Sequence, residues 1–152
     1  KVGVVTDVSG LESLSEFYID TDDKLFNVVR TQVDVILPQG TAILNAADPK
    51  VVEMAALCDG KVIFYGMSET LAAIASHRAS QGRVVFVRDT VIVLAQGMQE
   101  AARIPLTSLK PSKAEQPMMV MAAVAAAWAL DITPELINAG LRNFDPNPLE
   151  NY

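Results

Sequence analysis

The spacing of apolar positions changes several times along the chain, and each change marks an element. Residues 2–5 form a short β-branched run that stops at Thr6-Asp7, as a buried strand reads at the edge of a parallel sheet. Residues 11–19 are ambiguous, with a helix compatible with 11–17. Thr21 then stands as a helix N-cap, followed by Asp22 and Asp23, whose charges suit the positive end of a helix dipole. Leu25, Val29, Val33 and Ile36 recur at helical spacing, Phe26 and Leu37 widen the stripe, and Pro38-Gln39-Gly40 ends it.

Residues 41–44 read as the next strand, closed by Asn45. Asp48-Pro49 opens a helix running to Cys58, with the proline in the first turn, where its missing N–H costs nothing. Asp59-Gly60 turns into a strand over 61–65, ended by Gly66. Strand, helix, strand, helix, strand with short links predicts a parallel sheet with right-handed crossovers. After a helix over 69–79 the pattern changes. Residues 83–88 and 91–95, joined by Asp89-Thr90, read as a β-hairpin. Residues 104–106 fit an edge strand, where Pro105 is tolerated. The last third is helical. Residues 118–130 are apolar nearly all round, which predicts burial on several sides, and Thr133-Pro134-Glu135 caps a final helix ending near Asn143. The expected fold class is α/β: a parallel sheet with flanking helices plus a small antiparallel β-hairpin element. It occupies 1–144 as a single domain, with 145–152 as a linker or truncated end.

Composition narrows the function classes. Of the 152 residues, 51% are hydrophobic and 20% charged, enough to build one real core and too apolar for a disordered chain. The net charge of −6, with Lys and Arg scattered, argues against a nucleic-acid partner. The longest apolar run, 117–130, falls short of the roughly 20 residues a membrane-spanning helix needs, so no membrane partner is expected. The first residues are too short an apolar run for a secretory signal. Cys58, the single cysteine, cannot form an internal disulfide and reads as a buried, inert thiol, consistent with a cytoplasmic location.

Few residues advertise chemistry. The phosphate loop G-x-x-x-x-G-K-[ST] has its nearest match at Gly60-Lys61, but Ala55 stands where the first glycine belongs, and a strand follows instead of a helix. G-x-G-x-x-G and G-x-S-x-G are absent from the sequence. His77, the one histidine, cannot make a His/Cys metal cluster with one cysteine and reads as a solvated residue beside Arg78. Asp20, Asp22 and Asp23 read as solvated helix-start carboxylates, not a cation site. Met118, Met119 and Met121 read as gap-filling core residues.

Several stretches, taken in order, resemble Mur-type ligases, and within them the cyanophycin synthetases. These are Val2-Gly3-Val4-Val5-Thr6; Arg30-Thr31-Gln32-Val33-Asp34-Val35-Ile36-Leu37-Pro38; Thr41-Ala42-Ile43-Leu44-Asn45-Ala46-Ala47-Asp48-Pro49; and Cys58-Asp59-Gly60-Lys61-Val62-Ile63-Phe64. His77-Arg78-Ala79, Val84-Val85-Phe86-Val87-Arg88-Asp89, Ile104-Pro105-Leu106-Thr107 and the alanine-rich run 122–130 follow. The resemblance covers nearly the whole chain and implies the rear part of a central ATP-binding domain. In such enzymes ATP phosphorylates a carboxylate, and an amine attacks the acyl phosphate to form an amide. Cyanophycin synthetases add aspartate and arginine to a polymer in this way, arginine in the Mur-like half. For an intact enzyme the resemblance implies ATP and Mg²⁺ as cofactors, a phosphate loop, and cationic stabilisation of the transferring group.

Several family positions differ here. Asp7 stands where the resemblance implies Asn, and no Asp-His pair follows in 8–14. Val29 stands where a lysine is implied, Ala47 where a second aspartate is implied, and Met118-Met119 where a Glu-Asn pair would face adenine. The matching positions that remain are Asn45 and Asp48, which the resemblance implies as nucleotide-binding. Asp48 also reads as the cap of the helix that Pro49 opens. No catalytic and no metal-binding residue is assigned.

Two expectations follow. One is a ligase fragment inactive by itself; the other is a non-catalytic remnant that serves folding, oligomerisation or binding. Hydrophobic strand edges and faces left uncovered by missing front strands predict a homo-oligomer, a dimer, or pairing with the remainder of the ligase. A monomer in sedimentation at micromolar concentration would count against the dimer.

Overall fold

A computed structural model describes residues 1–106 and 117–143. Its centre is a six-stranded sheet in sequential order: β1 (Val2–Val5), β2 (Thr41–Asn45), β3 (Lys61–Gly66), β4 (Arg83–Arg88), β5 (Val91–Gln96) and β6 (Gln99–Pro105). The first four strands are parallel, and β4, β5 and β6 pair antiparallel. The predicted α/β class and hairpin are therefore present. Arg88 and Val91 pair across Asp89-Thr90, whose φ angles of 48° and 62° are the two positive values a tight two-residue hairpin turn requires.

Alternation along the strands sorts the core into two layers. Ile43, Ile63, Tyr65, Val85, Ile92 and Leu94 face one side, under α4 (Pro117–Ala129) and α5 (Pro134–Asn143). Ala42, Leu44, Phe64, Val84, Phe86 and Val93 face the other, under α1 (Asp22–Asp34), α2 (Pro49–Glu53) and α3 (Ala72–Ala79). A strand buried on both faces must be apolar at successive positions, as these are.

The caps behave as expected where their chemistry is local. Thr21 Oγ1 accepts from Lys24 N–H at 3.3 Å, and Thr133 Oγ1 accepts from Leu136 N–H at 3.5 Å. Other boundaries shift. Residues 11–17 form two short 3₁₀ turns instead of a helix. The helix expected over 49–58 is α-helical only to Glu53 and then tightens into a 3₁₀ turn, Met54–Leu57. The helix expected from 69 begins at Ala72, because Ser68 Oγ accepts from Thr70 N–H at 3.1 Å and holds 68–70 in a turn. The edge strand expected over 104–106 begins at Gln99. Its exposed positions, Gln99, Ala101, Arg103 and Pro105, alternate with more buried ones, because one face of this strand meets water.

Some side chains depart from their expected places. Leu37 is exposed, past the end of the α1 stripe, and Met119 is 55% exposed, on the side of α4 away from the sheet. Met121 is fully buried as expected, whereas Met118 is partly buried. Cys58 is partly buried, its Sγ 3.6 Å from the carbonyl of Lys61. The expected end segment, 145–152, and Thr107 lie outside the described residues.

Gly60, the glycine of both the nearest phosphate-loop match and the Asp59-Gly60 turn, has a packing reason. A Cβ on Gly60 would sit 2.5 Å from the carbonyl oxygen of Gly40 and 2.7 Å from that of Leu37. Backbone cannot give way there, and Lys61 N–H donates to Gly40 O at 2.9 Å in the same contact. We expect Gly60→Ala to cost about 2 kcal/mol through this overpacking, read as a lower urea midpoint at unchanged slope.

Candidate functional site

Parallel strands deliver their following loops to one end of the sheet, and in open α/β sheets ligands bind outside that carboxyl edge. Here the edge carries 6–10 after β1, 45–48 after β2, 66–71 after β3 and the Asp89-Thr90 turn after β4. Asn45 and Asp48, the two residues singled out in the sequence, both lie on it. Asn45 Nδ2 donates to the carbonyl of Thr6 at 2.8 Å, and its Oδ1 accepts from Ala47 N–H at 2.9 Å. Asp48 Oδ1 accepts from Lys50 N–H at 2.9 Å and Val51 N–H at 3.4 Å, capping α2. Its Oδ2 accepts from Val8 N–H at 3.2 Å. The pair therefore ties the loop after β1 to the loop after β2.

Asp7 stands exposed at the head of this tie. The Ser9 hydroxyl donates to its Oδ1 and the Thr6 hydroxyl to its Oδ2, the latter at 2.8 Å. These bonds, that of Ser9 foremost, hold the Asp7 carboxyl below its ordinary value against a smaller opposing effect of burial. Tyr65, on β3 beside Asn45, is 1% exposed, and burial together with the charge of Asp7 pushes its hydroxyl up to about 12.

A second cluster draws its side chains from the loop after β3, from α3, and from β4 and β6. Glu69 accepts from Arg88 Nε at 2.8 Å and from Arg78 Nη1 at 2.9 Å. Arg88 also reaches Glu100, which pairs with Arg103 Nε at 2.6 Å. Arg78 is 7% exposed, lies over the Phe86 ring, and donates Nε–H to the carbonyl of Gly97 at 3.1 Å. Hydrogen bonds from Arg88 first and Arg78 next hold the Glu69 carboxyl below its ordinary value, against burial. Sequence reading missed this cluster. Glu69 lies 9 and 19 positions from its partners Arg78 and Arg88, so no short motif joins them.

The cations near the edge are engaged: Arg88 as described, and Lys50 with Asp22 at 3.0 Å. Asp20 pairs with Lys24 at 2.6 Å, so Asp20 and Asp22 are ion-paired as well as solvated. Among the described residues no group of three His, Cys, Asp or Glu side chains converges as metal ligands. Asp7 and Asp48 already accept two and three hydrogen bonds, so these residues do not fit a Mg²⁺ site by themselves. His77 is not the solvated residue its neighbour suggested. It packs edge-on to Phe64 at 5.2 Å, with Nε2 3.0 Å from the carbonyl of Val62. Val29 is partly buried against the core, and Ala47 is exposed in the loop after β2.

No model of a known protein family matches the chain. Its sequence is 31% identical to the cyanophycin synthetase of Geminocystis herdmanii over 153 aligned positions, 95% of this chain and 17% of that protein. The cyanophycin synthetase of Synechocystis sp. is 30% identical over 94% of this chain and 17% of its own length. The fold is similar to UDP-N-acetylmuramoylalanyl-D-glutamyl-2,6-diaminopimelate--D-alanyl-D-alanyl ligase from Acinetobacter baumannii, with a TM-score of 0.62 and 19% identity over 95% of this chain and 29% of that one. A second structure, MurF of the same organism, superposes with a TM-score of 0.60 at 21% identity, with the same coverage. The resemblance to cyanophycin synthetases thus holds along nearly the whole chain, on a Mur-ligase-like fold. The chain spans about 17% of the curated relatives it matches.

Two outcomes test the polar ties. Arg78→Leu leaves Glu69 without one partner and Gly97 O without its donor, and should cost about 3 kcal/mol in chemical denaturation. The Glu69 carboxylate is favoured by the folded state, so its contribution is full above the ordinary value of 4.5 and fades as pH falls through the lowered one. Glu69→Gln should therefore flatten the acid side of the stability profile below about pH 4.5, seen in thermal melts across pH.

Proposed function

We propose that this chain is the rear part of the ATP-binding domain of an ATP-dependent acid–amino-acid ligase of the cyanophycin synthetase kind, and that it is inactive alone. The observation that carries the reading is the continuous similarity over 95% of the chain to such enzymes. Geometry supports a scaffold role. Asn45 and Asp48 shape the carboxyl edge where a nucleotide would lie, and their hydrogen bonds order the backbone of 6–8 and 45–48 toward it. The cations and Mg²⁺ ligands that phosphoryl transfer requires would come from residues outside this chain. The working site would be cytoplasmic and completed by the remainder of the ligase.

A second reading, a non-catalytic remnant, has its own support. Both Asn45 and Asp48 have complete internal roles, and valine and alanine occupy positions 29 and 47, where the family resemblance implies a lysine and an aspartate.

Calorimetry with ATP, with and without Mg²⁺, separates the two. The first reading expects binding near 100 µM, on the order of 5.5 kcal/mol, with no nucleotide hydrolysis. It also expects weakening of about tenfold, 1.4 kcal/mol, in Asn45→Ala and Asp48→Ala proteins whose circular dichroism is native. No heat at millimolar ATP would overturn the nucleotide role and favour the remnant.

A further inference from the structure

The helices over one face of the sheet do not close completely. Between α2 with its following 3₁₀ turn and α3 runs a groove of about 350 Å³, open to solvent on one side. That volume falls within the range of small-molecule sites. Val52, Ala55 and Ala73 make its walls, and Phe64, reaching up from β3, lies at its floor. Side chains this small leave width for one flat ring. The groove shares no residue with the carboxyl edge that carries Asn45 and Asp48.

Its polar groups point to one kind of ligand. The carbonyl of Val62 can only accept, so His77 Nε2, 3.0 Å away, carries the proton of the neutral ring. Nδ1 is then a bare acceptor, and no described residue bonds to it. The ring's seat is tight. Phe64 meets it edge-on at 5.2 Å, and a Cβ on Gly82 would fall 2.2 Å from His77 Cδ2, so glycine at that position makes the room. Glu53 stands exposed beside the groove without an ion pair among the described residues, and no lysine or arginine lines it. The Ser76 and Ser80 hydroxyls can give or take a hydrogen bond, so they do not choose between ligands. Glu53 and His77 Nδ1 do. Each calls for a donor, and the carboxylate favours a charged one. An anionic ligand would meet repulsion from both.

We infer that this groove binds a small organic amine in its protonated form, with an apolar body about the size of one ring. The ammonium answers Glu53 and His77 Nδ1, and the ring lies against Val52, Ala55, Ala73 and Phe64.

Titration of phenethylamine into the isotope-labelled whole chain, followed by NMR, reads this directly. Amide shifts should saturate with a dissociation constant of about 1 mM, ordinary for so small a molecule, and centre on the groove-lining residues and Gly82. Phenylacetate, of similar size and opposite charge, should bind at least about tenfold more weakly. Glu53→Gln should weaken the amine about threefold, as loss of an exposed ion pair does, and narrow its advantage over phenylacetate. Ser76→Tyr should fill the groove and abolish binding. Both substitutions alter exposed side chains, so circular dichroism should stay native. The absence of a saturating shift at roughly 20 mM amine would overturn the proposal. So would shifts centred elsewhere, equal binding of phenylacetate, or an affinity indifferent to Glu53→Gln or to Ser76→Tyr.

Discussion

Everything in this molecule is arranged around a parallel sheet that has to be covered on both faces. The four strands β1 to β4 carry consecutive apolar residues, and alternation sends each in turn to opposite layers. Burying one layer alone would leave the other in water at roughly 25 cal/mol for each Å² of apolar surface. The short crossover helices α1, α2 and α3 cover one side as a consequence of chain order. The other side waits for α4, a helix without a single polar side chain from Pro117 to Ala129.

Close approach is what the cover requires. Gly3 lets α1 lie on β1, and Gly40 and Gly60 let the starts of β1, β2 and β3 converge with backbone touching backbone. α4 is anchored differently. The Arg83 guanidinium stacks 3.7 Å from the Trp128 ring and donates to the Trp128 carbonyl at 3.1 Å, a cation at the negative end of the helix. Asp131 then turns the chain out with φ 59°, while Ile132 N–H donates to Ala127 O, the usual way a helix closes its last carbonyls.

The carboxyl edge inherits its character from the same constraint. Loops gathered at one end need internal bonds to hold their shape, and Asn45, Asp48, Asp7 and Glu69 each commit two or more side-chain hydrogen bonds to that task. An edge so occupied is a well-ordered wall with few free groups. It suits a domain whose reacting cations and metal ligands arrive from elsewhere, and it equally suits a domain that has kept the wall and lost the chemistry.

Local patterns carried the strands, the Asp89-Thr90 hairpin, the Thr21 and Thr133 caps and the place of Asp48 at the head of α2, because each depends on residues within about four positions. They placed Asn45 and Asp48 on one edge of the sheet, since chain order alone puts the loops after parallel strands together. They could not place Met119, because a uniformly apolar helix has no period to say which side faces the sheet, nor Leu37, which lies beyond the point where α1 ends. Nor could they find His77 under Val62 O, or the pairing of Glu69 with Arg78 and Arg88. Those contacts join residues 9 to 19 positions apart. Such residues meet only when β3, α3 and β4 have already packed, so their partners belong to the tertiary structure and to nothing shorter.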